Sequence, residues 1–247
     1  MIIGGKDLLN GKRFDKGGYI LTYDYDKWSF IDPKEAQKKL NLPRNPRDYT
    51  SIAVTTDDSN DEIVYASSMG DGVIQYKNGT PVQSYNEKNA FKETAGGYGS
   101  GYCYIDGLAF DKNGNLWMTS SEVNHAVLVL DKAGAWHRLD IEQLRGVYTI
   151  NDILITSTND KWIYVPRNTP KLVMIPNSES LDEVSSYEFT TLIDTDGKEL
   201  TPSNYTCVAE DKDGYIWVGT NRGAVYFTKP RISSAEDKAA TRCTRVK

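Results

Sequence analysis

One turn-and-strand unit recurs along the chain, and it limits the possible folds more than any other feature. Its clearest copy covers residues 211–220, where Asp-Lys-Asp-Gly is followed by Tyr-Ile-Trp-Val-Gly-Thr. Gly214 can adopt the positive φ that a tight hairpin turn requires. The aromatic and β-branched residues after it favour a short buried strand.

Three further copies can be recognised. Residues 111–119 repeat the unit closely. Residues 158–165 form a degenerate copy, and residues 57–65 form a copy with a longer loop. The spacing between copies is roughly 45 to 55 residues, which is typical of the blades of a β-propeller. A single four-stranded blade cannot cover both of its faces, so blades stack around an axis. The sequence therefore predicts an all-β protein with a β-propeller fold.

About five blades are visible within a single domain or segment that covers residues 1–247. They are expected at about 1–32, 49–86, 104–140, 148–192 and 205–230, with the start of a further strand at 242–247. The opening residues resemble the second strand of a blade, and no signal peptide pattern precedes them. Two arrangements are compatible with this count. We expect a segment of a larger propeller; the alternative is a closed five-bladed ring in which the last strand pairs into the first blade.

The overall composition excludes several classes of partner. The formal net charge is −5 and the pI is about 5.2, so we expect no nucleic acid partner and no binding to anionic membranes. No apolar run is long enough to span a bilayer. Three cysteines do not form a disulfide framework, and the alternating position of Cys207 predicts a buried thiol.

The stretch at residues 211–227 resembles the two-component-regulator propeller repeat, Asp-x-x-Gly-x-Ile-Trp-x-Gly-Thr-x-x-Gly followed by an apolar strand. The match is good at 111–119, where Ser120-Ser121-Glu122 then departs from the repeat, and poor around Trp162. The order of blades is nearest to PorZ-like propeller proteins of the type IX secretion system. The resemblance implies an extracytoplasmic protein, either such a secretion accessory or the periplasmic sensor domain of a hybrid histidine kinase that responds to glycans.

Side chains that could support catalysis or bind a metal are sparse. His125 and His137 are too few for a metal site and are expected to be structural. Residues 111–122 superficially resemble a calcium loop, but glycine falls at the fourth position instead of the sixth. We therefore expect the aspartates to accept hydrogen bonds from their own turns, with no metal and no cofactor. The equivalent residues Trp117, Trp162 and Trp217 are expected to pack between blades.

Loops that interrupt the repeat carry the candidate ligand-binding residues, because such loops face one end of a propeller. These residues are Tyr98, Tyr102, Arg167, Asn221 and Arg222. Aromatic, amide and guanidinium groups together suit a sugar or a protein surface. We expect a protein without enzymatic activity, periplasmic or at the cell surface, that binds a partner protein or a surface glycan. A glycan-responsive sensor domain is the alternative, and a polysaccharide-active propeller enzyme is a third possibility.

Overall fold

The computed structural model describes residues 2–3, 14–96 and 101–246. The first sheet contains β1 (Ile2–Ile3), β2 (Tyr19–Asp24) and β3 (Lys27–Ile31). The second contains β4 (Tyr49–Thr56), β5 (Glu62–Gly70), β6 (Gly72–Lys77) and β7 (Thr80–Tyr85). The third contains β8 (Cys103–Phe110), β9 (Leu116–Ser120), β10 (Val127–Leu130) and β11 (Trp136–Leu139).

The fourth sheet contains β12 (Ile153–Ile155), β13 (Lys161–Val165), β14 (Lys171–Ile175) and β15 (Tyr187–Phe189). A small hairpin, β16 (Leu192–Ile193) and β17 (Glu199–Leu200), precedes the fifth sheet. That sheet contains β18 (Tyr205–Glu210), β19 (Tyr215–Thr220), β20 (Gly223–Thr228) and β21 (Thr244–Arg245). The helices are α1 (Pro33–Leu40), α2 (Ala235–Ala240), a π-helical turn at Glu87–Phe91 and a 3-10 turn at Glu142–Leu144.

Each four-stranded sheet is an antiparallel meander whose strands pair in chain order. The first strands lie side by side, β4 next to β8, β8 next to β12, and β12 next to β18. The end of β5 also pairs with the start of β8, which joins the second and third sheets. This arrangement of stacked blades is a β-propeller, and the predicted fold class is confirmed.

The apolar core is divided into layers, one between each pair of neighbouring sheets. Trp117 from the third sheet packs with Ile163 and Val173 from the fourth. Trp162 occupies the equivalent place one sheet later, against Ile216 and other apolar residues of the fifth sheet. Strand alternation produces these layers, because successive side chains of each middle strand face opposite neighbours.

The aspartate turns have the predicted local structure. Asp111 Oδ1 accepts hydrogen bonds from the amides of Asn113 and Asn115, each at 2.9 Å. Its Oδ2 accepts from Trp117 Nε1 at 2.9 Å. The fifth sheet repeats the bond between Asp211 Oδ2 and Trp217 Nε1 at 2.7 Å. The spacing between Asp and Trp in the repeat therefore reflects a carboxylate that closes the turn and also satisfies a buried indole N–H.

Three expectations were wrong. Cys207 is exposed, because it lies on the face of β18 that points away from the fourth sheet and no described sheet covers that face. For the same reason Trp217 is only partly buried, whereas Trp117 and Trp162 are both 1% exposed. The strand at Thr244–Arg245 neither starts another blade nor pairs into the first one. It pairs with β20 as the outermost strand of the fifth sheet.

Among the described residues, no helix has the length and apolar character needed to cross a membrane.

Candidate functional site

Two sets of loops meet at one end of the stacked sheets, which we call the loop end. One set follows the second strand of each blade and includes residues 71, 121–126, 166–170 and 221–222. The other leads from one blade into the first strand of the next and includes residues 32–48, 86–96, 101–102, 140–152 and 201–204. Both sets lie at the same end because adjacent strands are antiparallel.

Backbone hydrogen bonds connect these loops, both within a blade and between neighbouring blades. The following pairs are within 2.8–3.1 Å: Gly96 N with Glu122 O, Glu122 N with Val147 O, Tyr205 N with Pro166 O, and Asn221 N with Asn204 O. Each bond joins the loop after a second strand to a segment that enters the first strand of a blade. The loops of the third, fourth and fifth blades are therefore held to one another at this end.

Tyr102, a predicted site residue, is partly buried at this end. Its ring lies 4.9 Å from the ring of Tyr104 in an edge-on arrangement. It also packs against a small cluster formed by Met69, Ala95 and Tyr104. Tyr102 therefore has a packing role in addition to the surface that it presents.

The two predicted arginines differ in exposure. Arg167 directly follows Pro166, whose carbonyl is bound by Tyr205, and is half-buried. Arg222 is exposed, and its backbone N donates to Thr220 Oγ1 at 3.0 Å. The two arginines belong to equivalent loops of neighbouring sheets, the fourth and the fifth.

Asn221 has a structural role that the sequence analysis did not foresee. Its Oδ1 accepts from Ser203 N at 2.9 Å and Asn204 N at 3.1 Å, and its Nδ2 donates to Ser203 Oγ at 2.8 Å. The amide thereby fixes the segment that enters the fifth sheet, although Asn221 is exposed. Tyr98 lies outside the described residues.

An acidic group on the loop that follows β9 was not among the predicted site residues. Glu122 adopts a left-handed backbone with φ 62°, and Ser120-Ser121-Glu122 is where this blade departs from the repeat. Burial and the nearby Asp106 raise the pKa of the Glu122 carboxyl. On the same loop, His125 Nδ1 pairs with Glu93 from the preceding segment. The departure from the repeat was the signal that could have identified this loop.

Polar side chains at the ends of the strands below these loops form hydrogen bonds within the protein. Ser121 Oγ donates to Asp106 Oδ2 at 2.6 Å and accepts from the amide of Ile150 at 2.8 Å. Thr119 Oγ1 donates to Asn151 O at 2.8 Å. These bonds join the third and fourth blades near the axis. Across the parts of the chain that the structure describes, no group of three or more acidic, histidine or cysteine side chains could hold a metal ion.

Other exposed groups at the loop end include Tyr148, which is 52% exposed and precedes the fourth sheet. Tyr148 and Arg167 belong to segments that flank the fourth sheet, one before its first strand and one after its second. This end therefore presents aromatic and guanidinium groups on a rigid support. Such a surface can bind hydroxyl groups, carboxylates or carbonyls by hydrogen bonding and stacking.

Comparisons with known proteins agree with this architecture. The family described as two component regulator propeller matches residues 199–222, which include the Asp211 turn, β19 and Asn221–Arg222. No curated protein matches the chain in sequence. The repeat predicted from the sequence is thus identified independently in the fifth blade.

Three solved structures are similar to the chain. PorZ, an essential surface component of the type IX secretion system of Porphyromonas gingivalis, has a TM-score of 0.78 at 18% identity, covering 93% of this chain and 31% of that chain. The extracellular domain of a hybrid two-component system from B. thetaiotaomicron has a TM-score of 0.55 at 18% identity, covering 91% and 27%. Virginiamycin B lyase from Staphylococcus aureus has a TM-score of 0.56 at 13% identity, covering 100% and 74%.

At these identities the similarity is one of fold. The chain spans about a third or less of the PorZ and two-component chains. The predicted resemblance to two-component-regulator propellers and to PorZ-like proteins is confirmed by the repeat match together with these structures.

Proposed function

We propose that the chain is a non-enzymatic propeller module that binds a partner protein or a surface glycan outside the cytoplasm. A PorZ-like accessory role in type IX secretion is the first choice. The observation that carries the proposal is the loop end, where backbone hydrogen bonds within and between blades hold the loops that carry Tyr102, Arg167 and Arg222. Similarity to PorZ, a bacterial surface component, supports both the role and the location at the periplasm or cell surface.

A sensor domain of a hybrid histidine kinase is the second candidate. The match of the two-component-regulator repeat at residues 199–222 and the similarity to an extracellular two-component domain favour it. In that case a small oligosaccharide would be the ligand. The two candidates differ in the size of what they bind, which an experiment can distinguish.

We also propose that the five sheets form part of a larger propeller. The outer face of the first sheet exposes Tyr23, Trp28 and Phe30, at 58%, 63% and 66%. Tyr23 and Trp28 pair across β2 and β3, with ring centroids 4.9 Å apart. In the interior of the stack, the equivalent sheet faces are covered by a neighbouring blade. An adjoining sheet would bury this aromatic surface in the same way.

The proposed function can be tested with purified protein and a charge-neutral double variant, R167Q/R222Q. Binding is measured to a panel of oligosaccharides and surface polysaccharides by calorimetry, and to envelope proteins by cross-linking and identification. Exposed Arg138, on the outer strand β11, provides the matched control R138Q. We expect R167Q/R222Q to weaken binding at least tenfold and R138Q to leave it unchanged.

A specific protein partner or long polysaccharide supports the accessory role, and a short oligosaccharide supports the sensor. Equal binding by the wild type and R167Q/R222Q would show that the loop end is not the binding surface. Absence of any glycan or protein ligand would refute the proposed function itself.

A further inference from the structure

A groove lies between the fourth and fifth sheets at the end opposite the loop end, which we call the turn end because the aspartate turns are there. Its volume is about 320 Å³. The turn at residues 156–160 forms one wall, and residues 212–214 and 229–231 form the other. Trp162 and Ile216 lie at its base, where both are almost completely buried in the core between the two sheets.

Two of the three carboxylates in the groove are already hydrogen-bonded to protein donors. Glu210 accepts from Ser157 N at 2.6 Å and from Ser157 Oγ at 2.5 Å, one bond to each oxygen. Asp160 accepts from Asn177 N at 2.8 Å and from Thr158 Oγ1 at 2.6 Å, again one to each oxygen. These acids hold the walls together, and their hydrogen-bonding capacity for a ligand is reduced accordingly.

The three cationic side chains of the groove differ from these two acids in having no protein partner among the described residues. Lys212, Lys229 and Arg231 all line it. Within the described part of the chain, none of the three side chains has an ion pair or a hydrogen bond. The third carboxylate, Asp213, is exposed at the tip of its turn. The groove therefore contains three cations without a protein acceptor, beside three carboxylates that keep part of their hydrogen-bonding capacity.

The corresponding groove between the second and third sheets provides an internal comparison. It is lined by three lysines, Lys77, Lys112 and Lys132, of which Lys112 and Lys132 occupy the same repeat positions as Lys212 and Lys229. Here Lys77 is held by Asp57 at 2.7 Å and Asp61 at 2.8 Å. Lys112 Nζ binds the carbonyl of Ser157 in the next blade. Two of its three cations are thus occupied.

Several substitutions in the repeat distinguish the two grooves. Asp131 precedes Lys132, whereas the neutral Thr228 precedes Lys229 at the equivalent place. The groove between the fourth and fifth sheets lacks that carboxylate beside its lysine, whereas Glu210 and Asp213 line it where Phe110 and Asn113 line the other groove. It has also gained Arg231, whose planar guanidinium can bind an oxyanion with two parallel hydrogen bonds.

We propose that this groove binds the oxyanion of a ligand, a phosphate or a carboxylate, through Lys212, Lys229 and Arg231. The site is at the turn end and is separate from the loop end proposed above for partner or glycan binding. The ligand supplies the acceptors that the three cations lack. If experiment refutes one of the two proposed sites, the proposal for the other site is unaffected.

The probes are inorganic phosphate, galacturonate and, as the neutral control, galactose. Binding is measured by calorimetry and by amide chemical shifts at 50 mM and 500 mM NaCl. The test variant is K229Q/R231Q, both positions being exposed, and the matched control is K132Q in the groove between the second and third sheets. Variants of the loop end, R167Q/R222Q, serve as a second control.

We expect phosphate or galacturonate to bind, with affinity reduced at high salt. K229Q/R231Q should weaken binding at least tenfold, and neither K132Q nor R167Q/R222Q should change it. Binding of phosphate alone assigns a phosphoryl ligand, and binding of galacturonate alone assigns a carboxylate. The inference is overturned if neither anion binds, if galactose binds as tightly as galacturonate to R167Q/R222Q, in which the loop end is disabled, or if K132Q and K229Q/R231Q lose affinity equally.

Discussion

Replacing Asp111 with asparagine tests the physical origin of the repeat. The substitution keeps the size of the side chain, and an asparagine oxygen can still accept from the amides of Asn113 and Asn115. The change falls on Oδ2, which accepts from Trp117 Nε1 and from Asn115 Nδ2, each at 2.9 Å. In asparagine this position carries an NH₂ group, which donates and cannot accept.

The expected cost follows from the burial of the indole. Trp117 is 1% exposed, so water cannot replace the lost acceptor, and an unpaired buried donor costs about 1–3 kcal/mol. We expect Asp111→Asn to lower the free energy of unfolding by about 2–3 kcal/mol, since the lost bond is to a charged acceptor. Trp217 is only partly buried and its N–H can be solvated, so Asp211→Asn should cost about 1 kcal/mol.

The free energies are obtained from urea unfolding followed by far-ultraviolet circular dichroism, which does not depend on tryptophan emission. Trp117→Phe completes a double-mutant cycle, because phenylalanine has no N–H to satisfy. In the Trp117→Phe variant, Asp111→Asn should lower the free energy of unfolding by less than about 1 kcal/mol. A coupling energy near zero, or equal costs at Asp111 and Asp211, would refute the reasoning.

Two other predictions follow from the environments of titrating groups. Cys207 is exposed and should react with a thiol reagent within minutes at pH 8. Cys103 is buried, and burial raises its pKa to about 12, so it should react only when the protein unfolds. Two rapidly reacting thiols in the folded protein would contradict this packing. The hydrogen bonds from Lys77 lower the pKa of both Asp57 and Asp61 below the usual 3.8. Their stabilising effect is therefore present above about pH 4 and is lost as the pH falls through the folded-state pKa values. Lys77→Met should raise both pKa values in a carboxyl-detected NMR titration and flatten the acid-side loss of stability, and unchanged values would contradict the assignment.

Local structure was largely predictable from residue order. The Asp-x-x-Gly turns, the alternating strands and the equivalence of Trp117 with Trp162 all depend on neighbours within a few positions. Hydrogen bonds such as Asp111 with Trp117 span only six residues, so their partners occur together in every good copy of the repeat. For that reason the fold class could be inferred from a single sequence.

The exposure of an individual face was not predictable in the same way. Alternation places Cys207 on one face of β18, but whether that face is covered depends on a different sheet. The C-terminal strand was similarly ambiguous, because a short Thr-Arg strand fits the first or the fourth position of a blade. Only its pairing with β20 identifies the position.

The candidate sites show the same division. Residue types and departures from the repeat pointed to Arg167, Asn221 and Arg222, and all three lie at the loop end. Only the three-dimensional structure distinguishes their roles, because it shows that the Asn221 side chain hydrogen-bonds to residues 203–204. The groove at the turn end could not be inferred, because Lys112 and Lys212 are the same residue at the same repeat position. The sequence by itself determined the repeating blade, which depends on short-range periodicity. The tertiary structure decided which faces are covered and which charges are paired, because both depend on the neighbouring blade.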